Sequence, residues 1–159
     1  MTVSVGARTN QVYMSRPTYL FVYGTLLREH APREISSAVR RLKPIGTATM
    51  GGKLYDFGEY PGAVAAPGRA GKISGRLFEV PDPVLLKELD EYEGYDPARP
   101  RRSLFLRKRR FVTLANGRRL LSWVYLFNGA PKNGRLLDHG NYSKYKNRNE
   151  RNATLSGRK

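Results

Sequence analysis

Two stretches of this 159-residue chain combine residue types able to do chemistry: Leu89-Asp90-Glu91-Tyr92-Glu93-Gly94-Tyr95 and Tyr23-Gly24-Thr25-Leu26. The first reads as the end of a helix. A helix C-terminus carries negative partial charge from its unpaired carbonyls, so a carboxylate there is disfavoured and its protonated form is relatively favoured. Lys or Arg is the usual choice at that place. This chain has 29 Lys and Arg against 13 Asp and Glu, yet it crowds Glu88, Asp90, Glu91 and Glu93 into the last turns. A local rule broken in one place is a site hypothesis, and it marks Glu93 as a carboxyl with a raised pKa, with Asp90 and Glu91 pushing the same way. The second stretch follows a strand and turns at a glycine. Successive backbone N–H groups in such a bend form a concavity that holds a carboxylate or a developing oxyanion. Each feature alone has an ordinary reading, since glycine ends many strands and a helix-terminal Glu is commonly a solvated surface residue. Only their combination makes Glu93 and the turn a candidate site.

Other chemistries are excluded by what the chain lacks. It has no cysteine, which removes disulfides, thiol nucleophiles and thiolate-ligated zinc. Gly68-Arg69-Ala70-Gly71-Lys72 has neither the spacing nor the hydroxyl residue of a phosphate loop, and no Gly-x-Ser-x-Gly elbow is present. His30 and His139 are the only histidines and sit in no ligand motif, so both are expected as turn or surface residues and no metal is expected. Asp90 and Glu93 are neighbours on one helix and cannot flank a sugar from opposite sides. No apolar run approaches the ~20 residues that span a bilayer. Residues 1–16 lack an apolar h-region, so a cytoplasmic protein without membrane partners is expected.

The formal charge of +16 is concentrated in Arg99-Pro100-Arg101-Arg102, Arg107-Lys108-Arg109-Arg110, Arg118-Arg119 and residues 144–159. Aromatic residues do not interleave with these runs in an RNA-binding signature, so a solvated basic face is expected in preference to a nucleic-acid site.

The elements that must position Glu93 and the Tyr23–Leu26 turn are readable in order. Residues 1–17 have no period of either kind and are expected to be a disordered leader. Tyr19-Leu20-Phe21-Val22-Tyr23 is a strand buried on both faces. Residues 32–42 space Ile35, Ala38, Val39 and Leu42 as an amphipathic helix that Pro44 ends. Residues 45–57 are extended but broken at Gly51-Gly52, and Tyr60-Pro61-Gly62-Ala63-Val64 interrupts the sheet. Residues 72–80 form the next strand, with Gly75 at a bulge or a close backbone approach. Asp82 caps the central helix, Pro83 opens it, and Leu85, Leu89 and Tyr92 turn inward, which carries Glu93 to the edge of the core. Residues 105–114 and 119–127 are paired by Asn116-Gly117, a dipeptide suited to a type I′ turn. A domain over residues 18–145 and a flexible basic tail over 146–159 follow. This order describes an α+β domain with a mainly antiparallel sheet, whose closure into a barrel the sequence leaves open.

Val22-Tyr23-Gly24-Thr25-Leu26, Pro61-Gly62-Ala63-Val64, the Gly75 strand and Leu89-Asp90-Glu91-Tyr92-Glu93-Gly94-Tyr95 together resemble the gamma-glutamylcyclotransferase-like superfamily, in the same order along residues 19–145. The resemblance implies a small mixed, mainly antiparallel β-barrel with flanking helices. It also implies a cofactor-free reaction in which the α-amino group of a γ-glutamyl amine or peptide attacks its own γ-carbonyl, giving 5-oxoproline and a free amine. Glu93 would be the acid and base, and Tyr23, Gly24, Thr25 and Leu26 would cradle the glutamyl group. Where many relatives have a Tyr ahead of the Arg-rich strand, this chain has Phe105, so Tyr125 and Tyr142 are candidates to supply a hydroxyl to substrate. The alternative is a non-catalytic binding module on the same scaffold, using its basic surface for an acidic partner or nucleic acid. Oligomeric state is not readable.

Overall fold

The computed structural model describes residues 16–66 and 71–157, so the expected leader lies almost wholly outside the described residues. Strand β1 (Tyr19–Val22) is apolar at every position because it separates two cores. Leu20 and Val22 face one, while Phe21 and the following Tyr23 face the other. The chain continues through α1 (Arg33–Arg41), β2 (Lys43–Asp56), β3 (Pro61–Ala65), β4 (Lys72–Glu79) and α2 (Pro83–Tyr92). It then runs through β5 (Phe105–Leu114), β6 (Arg119–Phe127), β7 (Arg135–Leu136) and α3 (Tyr142–Ser156).

The sheet closes into a five-strand barrel. β1 is antiparallel to β4, β4 to β2, β2 to β5 and β5 to β6, and β6 returns to β1 in parallel at Leu20–Trp123. Further along β2, β3 occupies the gap, antiparallel to β2 and parallel to β6. Met50, Leu54, Ile73, Leu77, Val112 and Val124 fill the interior. α1 and α2 cover the outer side of β1 with Ile35, Val39, Leu85 and Leu89. Each such side chain contributes about 1.5–3 kcal/mol by leaving water. An ion pair between Arg41 and Glu88 joins the two helices at the surface. Gly75 is a close approach, as expected: a Cβ there would strike the Val22 carbonyl oxygen and come within 2.8 Å of the Phe21 ring.

Four local readings change. β2 runs unbroken through Gly51-Gly52, because a Cβ at Gly52 would sit 2.7 Å from the Val64 carbonyl oxygen and 2.9 Å from an Ile73 methyl group. Glycine there permits tight packing and does not end the strand. Pro61-Gly62-Ala63-Val64 is strand β3; Pro61 opens it, where a missing N–H is tolerated. The β5–β6 turn is not type I′, which needs positive φ at both central residues. Only Gly117 has it, at φ 86°, and its N–H donates to the Leu114 carbonyl at 2.9 Å, the pattern of a type I turn closed by a glycine bulge. Residues expected as a flexible tail form α3, capped by the Asn141 side chain, which accepts the Lys144 N–H at 3.0 Å.

Candidate active site

Helix α2 is fixed at both ends. Asp82 Oδ1 accepts the Val84 N–H at 2.9 Å, and Pro83 occupies the first turn. At the other end Glu93 is the last αR residue and Gly94 follows at φ 66°. The Tyr95 N–H returns to the Asp90 carbonyl at 2.9 Å and the Gly94 N–H to Glu91 at 3.2 Å. These two bonds form a Schellman cap, which needs a left-handed residue where glycine stands. The backbone of Glu93 is thereby held at the helix terminus.

Its side chain enters a hollow whose opposite wall is Tyr23-Gly24-Thr25-Leu26. Tyr60, Pro61, Phe105 and Tyr125 complete the lining. The space inside is narrow, about 20 Å³, little more than one water requires. Gly24 is needed by its surroundings, since a Cβ there would run into the Pro61 ring. The Leu27 N–H donates to the Gly24 carbonyl at 2.9 Å and closes the turn. Among the described residues, the N–H groups of Gly24, Thr25 and Leu26 have no backbone acceptor. A larger groove of about 490 Å³ lies past Tyr23, along Leu27, Ser74, Gly75 and Arg76.

Burial pushes the Glu93 carboxyl up to about 8, and among the described residues no cation or donor offsets it. The residue as a whole is half-buried, but its carboxyl is packed round by protein. Tyr23 and Tyr125 are pushed well above the usual phenol range, both first by burial, then Tyr23 by the Glu93 charge and Tyr125 by its hydrogen bond to Asp90 and the charge of that group. Both remain neutral phenols at physiological pH. The Tyr23 hydroxyl donates to the Tyr125 carbonyl at 2.6 Å and accepts the Ala63 N–H at 3.1 Å. The Tyr125 hydroxyl donates to Asp90 Oδ1 at 2.7 Å. The hollow therefore contains one ionisable acid, Glu93, and two phenols held by hydrogen bonds, Tyr23 and Tyr125. Among the described residues no group of side chains is arranged to hold a metal ion, and no helix is long and apolar enough to cross a membrane.

Residues 20–144 match the sequence profile of the family described as "Gamma-glutamyl cyclotransferase, AIG2-like". The chain belongs to this family. Its fold is similar to that of an AIG2-like protein from Mus musculus, at 24% identity and TM-score 0.63 over 79% of this chain and 88% of that one. It is also similar to a structure titled "Gamma-glutamyl cyclotransferase", at 18% identity and TM-score 0.55 over 76% and 69%. YkqA from Bacillus subtilis matches at 22% identity and TM-score 0.60 over 82% of this chain, which spans only 41% of YkqA. No curated protein sequence matches the chain.

In this AIG2-like chain the hollow gathers Glu93, Tyr23, Gly24, Thr25, Leu26 and Tyr125, but not Tyr142. Tyr142 is the first residue of α3, buried at 7% exposure with its ring edge against His30, centroids 5.6 Å apart. Asp90 and Glu91 do not reinforce Glu93. Glu91 is exposed, and Asp90 is paired with Arg107, Nε to Oδ1 at 2.8 Å. The raised pKa comes from burial. Sequence reasoning missed Tyr60, Pro61 and the Asp90–Arg107 pair behind Tyr125. The apolar Tyr60-Pro61 step carried some signal, but the partner of Asp90 lies on β5, where only strand pairing brings it close.

Proposed function

We propose that the protein is a gamma-glutamylcyclotransferase that converts a γ-glutamyl amine or peptide to 5-oxoproline and the free amine. The observation that carries this reading is one buried, unpaired carboxyl, Glu93, sharing a hollow with the Tyr23–Leu26 turn and its spare N–H donors. The substrate's α-ammonium must lose a proton before it can attack, and a carboxylate with a pKa near 8 is a far better base than an ordinary one. Glu93 takes that proton. The α-nitrogen then bonds to the γ-carbonyl carbon, and the oxygen that becomes negative is stabilised by the backbone donors of the turn. Glu93 returns the proton to the departing nitrogen as the γ-amide C–N bond breaks. The ring nitrogen then gives its second proton to the freed Glu93 carboxylate, which hands it to the released amine; 5-oxoproline and an ammonium leave, Glu93 is reset, and the chemistry requires no cofactor. Both reactants belong to one molecule, and holding the glutamyl chain in its cyclising rotamer supplies much of the acceleration. The groove past Tyr23 has room for the leaving group. At about 20 Å³ the hollow must widen as the glutamyl chain enters.

The test is a panel of γ-glutamyl amines and peptides incubated with the protein and with Glu93→Gln, with 5-oxoproline as the readout. Product from the wild type and little from Glu93→Gln is expected. Equal product from both removes Glu93 from the mechanism, and none from any substrate returns the scaffold to a binding module.

A further inference from the structure

The outer face of the β5–β6 hairpin carries a pattern that the hollow does not use. Strand register places Arg109 opposite Trp123, Phe111 opposite Leu121 and Thr113 opposite Arg119. Across these rungs guanidinium groups and aromatic rings alternate in space, although they do not along the chain. Arg107 and Arg109 hold their guanidinium carbons 4.5 and 4.8 Å from the Trp123 ring centre, and Arg119 sits 4.9 Å from that of Phe111. Phe111 is 57% exposed and Leu121 42%, an apolar surface on an otherwise cationic face. The chain has no Asp or Glu between Asp96 and Asp138. Among the described residues Arg107 alone on this face has a carboxylate partner, which leaves Arg109 and Arg119 without one.

We propose that this face binds single-stranded nucleic acid, with phosphates on Arg109 and Arg119 and an unstacked base on Phe111. A polyanion matches the charge, and only one with planar, apolar faces also covers the exposed ring; base stacking on aromatic residues with arginine alongside is how sequence-tolerant strand binding works. An acidic peptide would satisfy the arginines and leave Phe111 in water. The sequence-based expectation of a plain solvated face rested on aromatic spacing along the chain, whereas the sheet brings together residues from two separate runs.

The test uses the full chain, labelled oligothymidine and a salt series. Trp123 is the only tryptophan, so its emission reports on this face directly. Binding that weakens with salt and quenches Trp123 is expected. Phe111→Ala, at an exposed position, should weaken binding roughly tenfold with an unchanged salt slope. Arg109→Ser with Arg119→Ser should reduce that slope by about 1.4. Wild-type affinity in Phe111→Ala overturns the proposal. So does a poly-glutamate peptide that binds as tightly as the oligonucleotide with the same Trp123 response, which would assign the face to an acidic protein.

Discussion

Arg107 grips Asp90 through two donors, Nε to Oδ1 at 2.8 Å and Nη2 to Oδ2 at 3.2 Å, three residues before Glu93 on the same chain turn. Tyr95 and Trp123 flank the guanidinium, and the Tyr125 hydroxyl takes the remaining approach to Oδ1. The pair presents balanced charge behind the hollow, so the two single substitutions should move Glu93 in opposite directions. Asp90→Asn leaves a cation and should lower the pH at which kcat/KM rises. Arg107→Met leaves an anion and should raise it. Each should cost about 3–5 kcal/mol of stability as a broken, largely buried pair. Urea unfolding and pH–rate profiles check both effects, and a same-direction shift would show that the pair acts on shape alone.

Glu93 also makes stability depend on pH. The folded chain holds its proton up to about 8, against 4.5 for an ordinary Glu. Between those values the folded state binds the extra proton, so this contribution is fully present below the lower value and is lost as pH rises through the upper one. The loss runs at up to ~1.4 kcal/mol per pH unit. Glu93→Gln should therefore gain on the wild type between pH 5 and pH 8 by roughly that slope. Thermal or urea unfolding of the two proteins side by side measures it, and parallel curves would mean that Glu93 ionises normally.

Phe105 lines the hollow with its ring edge toward Tyr60, centroids 5.7 Å apart. Phe105→Tyr should place a hydroxyl there and lower KM roughly fivefold, the worth of one hydrogen bond of ~1 kcal/mol. Steady-state kinetics decide it; a raised KM would show the hydroxyl crowding the substrate.

Gly94→Ala should lower stability by about 1–2 kcal/mol, because φ 66° places a side chain against the following carbonyl. Displacing the helix end should reduce kcat more than it raises KM. Circular dichroism melts and kinetics on the same variant separate the two consequences.

The elements that hold the site were legible wherever one residue type decided the local structure. Asp82-Pro83 and Gly94 delimit α2, and the all-apolar run of β1 implies its burial between two cores. Glu93 stands out in the sequence because it breaks the charge preference of a helix end, and the Tyr23–Leu26 turn gains weight only beside it. What escaped depended on strand pairing. Pro61 and Gly62 resemble a break until β2 and β6 are in place to bind them as β3. Asp90 resembles one more acid beside Glu93 until β5 delivers Arg107. Tyr142 is indistinguishable by type from a ligand-binding Tyr, and only the packing of α3 against His30 removes it from the hollow.

The central claim is tested most directly by kcat/KM for 5-oxoproline formation across pH, wild type beside Glu93→Gln. A wild-type profile that climbs with a single proton to a plateau above about 8, and a variant lowered by roughly 10²–10⁴ without that limb, is the predicted result. A variant as active as the wild type with the same pH dependence would contradict it.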